Sequence, residues 1–284
     1  MTAHHATGDE QTCRICGQSG TLLFEAPVLG RHAARYVHCG KCGFVQVGNL
    51  GWLDEAYRET ITREDTMILD RNIRVRRNLL VILFYLFPCS KTDRFLDYAG
   101  GTGLLVRLMR DAGYDFHWQD PYTPNLFARG FEMQPGTTFK AVTCIEGLEH
   151  FTSPLDELTR MFALSDTLIC TTCLLPRQLT PDWPYLGRRH GQHISFFAAE
   201  TLAYLASHFG ARYYYLRGLH ILTRQPVNPR RLAALRLACR SRVVFVALYL
   251  HACRCLGSLA YTDADWLADH ETGVTAVTRT EVAG

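Results

Sequence analysis

Two cysteine pairs near the start of the chain constrain its fold more than any other feature. Cys13 and Cys16 form one pair, Cys39 and Cys42 form the other, and 22 residues separate the two. A pair at this spacing wraps a tight turn that points two sulfur atoms at one place, and two such turns complete a tetrahedron. The pattern predicts a structural Zn²⁺ site, because four thiolates leave no coordination position open.

The segments around the cysteines are short, apolar and punctuated by glycine. Strands are expected at 21–24 and 44–47, and together with the cysteines they predict a zinc ribbon over residues 1–60. A helix is expected over 63–88, inside a connector at 61–90, and Pro88 ends it. Asn228 and Pro229 form an N-cap followed by a first-turn proline, which predicts a helical C-terminal extension over 226–284.

Charge and hydropathy argue against two function classes. The net charge of +3 is small for a dedicated nucleic-acid binder. The apolar runs at 79–87 and 243–253 are shorter than the roughly 20 residues of a membrane-spanning helix, so they predict buried helices and no membrane association. Residues 1–10 are polar, which predicts no secretory signal, a cytoplasmic location and reduced cysteines.

From residue 93 onward strand and helix patterns alternate, as in a doubly wound α/β sheet over 91–225. A further short helix is expected after Pro124, because Thr123 offers an N-cap. The expected strands are 94–97, 116–119, 141–145, 167–172, 212–216 and 219–223, and the expected helices begin near 104, 154 and 200.

A glycine-rich turn follows the first of these strands, with the sequence Asp97-Tyr-Ala-Gly-Gly-Thr-Gly103. Glycines here let the backbone approach a ligand without hindrance from a Cβ atom, and Gly101 and Gly103 fit that need. Asp120 lies 23 positions after Asp97 at the end of the next strand, where an acid commonly holds ribose hydroxyls. The turn therefore predicts a nucleoside-containing cofactor.

The turn resembles the first motif of class I S-adenosylmethionine (SAM) methyltransferases, with Ala99 where a glycine is usual. Residues 145–151 resemble the segment that follows a strand in the same family. Residues 183–185 and 190–197 resemble a segment of bacterial methyltransferases that carry an N-terminal zinc-binding domain, a layout that sugar C-methyltransferases share. The resemblance implies a Rossmann-like fold, with Asp97 near the amino-acid end of SAM and Asp120 on its ribose. The expected cofactor-binding residues are Asp97, Ala99, Gly100, Gly101, Gly103, Asp120 and Glu146.

Methyl transfer to a protonated acceptor usually needs a base, and histidine accepts a proton near neutral pH. His193 is the first candidate because it follows a strand, at the edge of the sheet where ligands bind. His190 and Tyr185 are close to it in sequence, and His150, after the strand at 141–145, is expected to contact substrate. Glu149 is expected to pair with an arginine.

The sequence thus predicts a SAM-dependent methyltransferase with structural zinc, acting on a small-molecule acceptor such as a nucleotide-linked sugar or another biosynthetic intermediate. It does not choose between oxygen, nitrogen and carbon as the methylated atom. One alternative is a zinc-ribbon RNA methyltransferase, which the five basic and six acidic residues of 1–60 disfavour. The other is a binding protein that keeps the SAM fold without catalysis.

Overall fold

The structure, a computed structural model, describes residues 10–59, 61 and 65–271. Its strands are β1 (Glu10–Thr12), β2 (Ser19–Val28), β3 (His32–His38), β4 (Val45–Val47), β5 (Arg94–Tyr98), β6 (Asp115–Gln119), β7 (Ala141–Ile145), β8 (Thr167–Thr171), β9 (Ser195–Phe196), β10 (Arg212–Leu216) and β11 (Leu219–Thr223). Its α-helices are α1 (Leu53–Ala56), α2 (Ile68–Leu86), α3 (Leu104–Arg110), α4 (Pro154–Leu164), α5 (Ala199–His208), α6 (Pro229–Ala238), α7 (Arg242–Leu256) and α8 (Ala260–Glu271).

The chain divides into two compact units, each built from several segments. The first comprises residues 1–68, 121–123 and 138–226, and the second comprises residues 69–120, 124–137 and 227–284. The domain bounds expected from the sequence remain a prediction. The polar segment at residues 1–9 and the expected helix start at residue 63 lie outside the described residues.

The first unit contains an antiparallel sheet in the order β1-β2-β3-β4-β9. β2 and β3 pair along most of their length, with a bulge between Leu22 and Phe24. One face of the sheet packs Tyr36, Trp52 and Phe196 into a hydrophobic core. The ribbon region therefore has more strand than the two segments predicted from the sequence.

The same unit contains four more strands, two of them parallel. β7 and β8 pair in parallel, and α4 connects them. β11 pairs antiparallel with β8, and β10 pairs antiparallel with β11, from Arg212 opposite Thr223 to Leu216 opposite Leu219. This closing antiparallel pair confirms the strands predicted at 212–216 and 219–223.

In the second unit β5 and β6 pair in parallel, from Arg94 opposite Asp115 to Tyr98 opposite Gln119. α3 begins directly after Gly103, so the glycine turn joins strand to helix as predicted. α2 begins at Ile68, later than predicted, and ends at Leu86, two residues before Pro88. Asn228 caps α6 by accepting hydrogen bonds from two backbone N–H groups, as the sequence predicted.

The short helix predicted after Pro124 is wrong. Residues 124–137, all of them described, form turns and loops. The side chain of Asn125 accepts a hydrogen bond from the backbone N–H of Ala128 at 2.9 Å, and Gly130 adopts a φ of 87°. In a helix capped by Thr123 the N–H of Phe127 would donate to the carbonyl of Thr123, but here it donates to the carbonyl of Thr102 in the glycine turn at 3.0 Å, so the first helical bond is not formed.

Two C-terminal helices pass a length and hydropathy test for a membrane span only when taken together. Among the described residues no single helix passes it, whereas α7 and the Ala260–His270 part of α8 do so as a pair bent by 41°. The arginines of α6 and α7 are exposed: Arg230, Arg231, Arg236, Arg242 and Arg254.

Candidate functional site

The four predicted zinc ligands lie together in the first unit. Their Sγ atoms are all within 4.8 Å of one another, with Cys13 and Cys42 at 3.6 Å and Cys16 and Cys39 at 3.3 Å. Three of the four cysteines are buried, and none forms a disulfide. Four converging thiols are the donor set that Zn²⁺ prefers in structural sites.

The two cysteine pairs lie on two turns of the same backbone type. The N–H of Gly17 donates to the carbonyl of Cys13 at 3.0 Å, and the N–H of Gly43 donates to that of Cys39 at 2.9 Å. Gly17 and Gly43 have φ values of 72° and 71°, which only glycine adopts at little cost. The two turns are therefore equivalent and are fixed by the Cys-x-x-Cys-Gly sequence itself.

The glycine turn lies in the second unit, between β5 and α3. The N–H of Gly101 donates to Oδ2 of Asp120 at 2.9 Å, and the indole N–H of Trp118 donates to the carbonyl of Gly101 at 2.8 Å. The N–H of Gly100 donates to the carbonyl of Gln119 at 3.1 Å. Residues at the end of β6 thus hold the turn, and the turn positions the Asp120 carboxylate.

Two glycines of the turn have different surroundings. A Cβ added at Gly101 would meet nothing within 4 Å, so the space beside its backbone is open. A Cβ added at Gly103 would lie 2.8 Å from Oδ1 of Asn125 and 2.9 Å from Cβ of Ala128. The absence of a side chain at Gly101 therefore leaves space for a ligand. At Gly103 the same space is filled by Asn125 and Ala128.

Two non-glycine residues directly after parallel strands have left-handed backbones. Ala99 follows β5 with a φ of 55°, and Glu146 follows β7 with a φ of 51°. Strained residues of this kind concentrate at functional sites. A positive φ of this kind favours glycine, which has no Cβ to hinder it, so the alanine side chain strains the turn at Ala99.

The candidate catalytic residues lie in the first unit, around the buried carboxyl group of Glu149. The hydroxyl of Tyr185 donates to Oε1 of Glu149 at 2.7 Å and lies 3.4 Å from Oε2 of Glu146. The hydroxyl of Thr172 is 3.2 Å from that of Tyr185. Glu149 was predicted to pair with an arginine, but the partner of its Oε1 is a tyrosine, supplied by the loop that follows β8.

Burial sets the ionisation of this group. It raises the pKa of Glu149 to about 8, and the negative charge of Glu146 acts in the same direction. Burial also raises the pKa of Tyr185, together with the charges of the two glutamates, so its hydroxyl stays protonated as a hydrogen-bond donor.

His193 lies against Tyr185, and two further histidines lie against His193. Nδ1 of His193 lies 2.6 Å from the backbone carbonyl of Tyr185, and the ring centroids of His150 and His190 lie 5.0 and 4.7 Å from that of His193. A carbonyl only accepts, so Nδ1 of His193 carries a proton, and in the neutral ring the lone pair is on Nε2. Nδ1 of His150 is 3.0 Å from the hydroxyl of Tyr57.

The predicted site residues thus form two groups. Asp97, Ala99, Gly100, Gly101, Gly103 and Asp120 belong to the second unit, and Glu146, His150, Tyr185, His190 and His193 belong to the first. Sequence reasoning missed the role of Tyr57, which is 93 residues from His150 and has no motif around it. It also missed Trp118, although an aromatic residue two positions before Asp120 was visible in the sequence.

The sequence matches a known protein family. A family model described as a methyltransferase domain matches residues 69–216, more than half of the chain. No curated protein matches the sequence.

Solved structures match with low similarity. TnmH is 17% identical, with 62% of this chain and 61% of that chain covered and a TM-score of 0.40. The mitomycin 7-O-methyltransferase MmcR is 13% identical, with 60% and 59% covered and a TM-score of 0.40. The sugar N-methyltransferase KedS8 from a Streptoalloteichus species is 16% identical, with 63% and 94% covered and a TM-score of 0.35.

The match spans about three fifths of the first two of these structures, so their activities are not transferred to this chain. The family match does not depend on these structures. It includes the glycine turn, Asp120 and the segment from Glu146 to His193. The chain belongs to the methyltransferase-domain family, in agreement with the family and the Rossmann-like α/β fold expected from its sequence.

Proposed function

We propose that this protein binds SAM at the glycine turn and transfers its methyl group to a small-molecule acceptor, with His193 as the general base. The observation that carries the proposal is the pairing of Gly101 with Asp120. The backbone beside Gly101 is open, and the carboxylate that would hold the ribose is fixed to the same residue at 2.9 Å. A dinucleotide would be held by the same features, and the family match supports SAM over a dinucleotide.

SAM supplies an electrophilic methyl group, whose bond to sulfur breaks as the lone pair of the acceptor atom forms the new bond. The residues of this chain bind, orient and deprotonate. Asp120 accepts hydrogen bonds from the ribose, while Asp97, 2% exposed at the end of β5, lies towards the amino-acid end of the cofactor. Nε2 of His193 takes the proton of the acceptor, because Nδ1–H is held by the Tyr185 carbonyl.

Tyr185 has a positioning role in this proposal. Its carbonyl fixes the ring of His193, and its hydroxyl is fixed in turn by Glu149. His150, His190 and Glu146 lie around the same group and are proposed to contact the acceptor or the cofactor. The proposed acceptor remains a nucleotide-linked sugar or another biosynthetic intermediate.

We also propose that Cys13, Cys16, Cys39 and Cys42 hold a structural Zn²⁺. Support comes from the converging sulfur atoms and the two equivalent glycine turns. The ion would tie the turn between β1 and β2 to the loop between β3 and β4, and it would take no part in the reaction. Metal analysis of protein purified without chelator should find one tightly held zinc per chain, and its absence would remove this part of the proposal.

Methyl transfer is tested with SAM labelled in its methyl group. The purified full chain is incubated with a pool of metabolites that includes nucleotide-linked sugars and, separately, with total RNA, and the products are identified by mass spectrometry. The proposal expects label in a small molecule. Label in RNA would support the RNA methyltransferase instead, and SAM binding without any transfer would support a non-catalytic binding protein.

A further inference from the structure

A second group of potential metal ligands lies in the first unit, apart from the four cysteines. Glu149 and His150 are consecutive residues of a short 3-10 helix after β7, and His193 comes from the loop before β9. Each offers one ligand atom, and the three atoms all lie within 4.8 Å of one another. One carboxylate and two imidazoles make a donor set typical of divalent transition-metal sites.

The carboxyl group of Glu149 gives independent evidence for a ligand. The residue is 0% exposed, and Oε1 accepts the hydrogen bond from Tyr185. Its Oε2 is buried with no hydrogen-bond partner in the part of the chain that the structure describes. A buried carboxylate oxygen without a partner is costly, and a bound cation removes that cost.

Both histidines are oriented as metal ligands usually are. A ligating histidine generally engages its other ring nitrogen with a carbonyl, carboxylate or hydroxyl, which fixes the ring and its tautomer. Nδ1 of His193 is held by the Tyr185 carbonyl at 2.6 Å, and Nδ1 of His150 lies 3.0 Å from the Tyr57 hydroxyl. In both rings Nε2 is then the nitrogen that would bind the metal.

We propose that Glu149, His150 and His193 bind a divalent transition metal of the Zn²⁺ or Co²⁺ type, and that this metal inhibits methyl transfer. With metal–ligand bonds of about 2.1 Å, the ligand atoms of a tetrahedral site lie ~3.4 Å apart. Side-chain rotations that move the three ligand atoms by about 1 Å would therefore complete the site. The metal would bind to Nε2 of His193 through its lone pair. This nitrogen would then be unable to accept a proton from the acceptor. The binding claim stands without the proposed methyl transfer, whereas the inhibition rests on it.

Metal binding is measured directly, with Co²⁺ as the probe and the full chain purified with its cysteines loaded with Zn²⁺. We expect one Co²⁺ per chain, with visible ligand-field bands but without the thiolate-to-metal band that cysteine ligands produce. Glu149→Gln keeps the acceptor for Tyr185 but cannot lose a proton to become the negatively charged ligand of a cation. It should weaken Co²⁺ binding by about 100-fold or more, beyond the ~10–100-fold typical of losing an outer-sphere partner.

Glu146→Gln is the matched control, because it makes the same change three residues away in the same cluster. It should leave the Co²⁺ affinity within a few-fold of wild type. If Glu149→Gln does not fold, as judged by thermal unfolding, His150→Gln replaces it with the same expectation. No Co²⁺ binding by wild type, thiolate bands alone, or equal affinity in wild type and variant would each overturn the site. Co²⁺ binding without loss of methyl transfer would overturn only the inhibition. An enzyme that binds Co²⁺ but shows no methyl transfer even without the metal would count against the proposed function and not against the site.

Discussion

The backbone N–H of Gly101 donates a hydrogen bond to Oδ2 of Asp120 at 2.9 Å, which links the turn after β5 to the end of β6. One oxygen of the carboxylate therefore fixes the turn, and the carboxylate keeps further acceptor capacity for hydroxyl groups of a ligand. The contact makes the shape of the turn and the position of the acid depend on each other. A change at either residue should therefore be measurable as a change in cofactor affinity.

Asp120→Asn keeps a side-chain oxygen for Gly101 but removes the negative charge. A hydrogen bond to a charged group contributes about 1.5–3 kcal/mol, so the Kd for SAM should rise ~10–100-fold. The measurement is calorimetric titration of each folded protein. Asp111→Asn, at the exposed C-terminal end of α3, is the control and should leave the Kd unchanged. An unchanged Kd in Asp120→Asn would refute the ribose contact.

Alanine substitutions at Gly101 and Gly103 should have different effects. At Gly101 the new Cβ meets open space, so Gly101→Ala should lose SAM affinity at a folding cost of only about 1–2 kcal/mol from its left-handed backbone. At Gly103 the Cβ collides with Asn125 and Ala128, so Gly103→Ala should lower the unfolding temperature further. Thermal unfolding and SAM titration of both variants test this contrast, and a Gly101→Ala protein with normal affinity would contradict it.

His193→Gln should slow methyl transfer without weakening SAM binding. Glutamine can still donate to the Tyr185 carbonyl, but it cannot take up a proton, and a general base commonly contributes ~10²–10⁴-fold to the rate. Single-turnover rates with the identified acceptor, together with the Kd for SAM, provide the test. His208→Gln, at the end of α5, serves as the control. Full activity in His193→Gln would eliminate the base.

A buried ion-pair network should make the second unit sensitive to acid. Arg110 donates two hydrogen bonds to Asp263 of α8 at 2.7 and 2.8 Å, and Arg107 donates a third at 2.7 Å. Burial acts to raise the pKa of Asp263, but the bonds from the two arginines outweigh it and the pKa is lowered. Burial also acts to raise the pKa of Asp115, but its bonds to His117 and Arg110 outweigh this and the pKa is lowered as well.

Because the pKa values of these aspartates are lower in the folded state, their contribution to stability is complete above the unfolded pKa of about 3.9. It is lost as the pH falls below that value through the folded pKa. Asp263→Asn should cost about 3 kcal/mol at neutral pH, since it leaves the buried guanidinium of Arg110 with less compensating charge. The exposed Asp265→Asn is the control, and urea unfolding as a function of pH is the measurement. Equal stabilities of the two variants would show that the network contributes nothing.

The sequence predicted local features where one physical cause dominates. The two cysteine turns follow from cysteine spacing and glycine, the glycine turn follows from the need for backbone access, and the cap of α6 follows from Asn228 and Pro229. β10 and β11 were predictable because apolar and aromatic strands flank Arg217 and Gly218, and both of these residues adopt a positive φ in the turn. In each case the residues that decide the structure are neighbours in sequence.

Features that depend on contacts between distant segments were not predictable in the same way. The carboxyl group of Glu149 acquires its partner from Tyr185, 36 residues later, and His150 meets Tyr57 from 93 residues earlier. The expected helix after Pro124 failed because the N–H of Phe127 bonds to the carbonyl of Thr102 in the glycine turn, a partner distant in sequence. Propensity and spacing carry no information on which distant side chain will meet a buried acid.

Calorimetric titration of SAM into the purified full chain tests the central claim most directly. We predict saturable binding with one SAM per chain and a Kd at least ~10-fold lower than that of Asp120→Asn. A wild-type protein that is folded by thermal unfolding yet shows no heat of binding, or that binds SAM equally well without the Asp120 charge, would contradict the account.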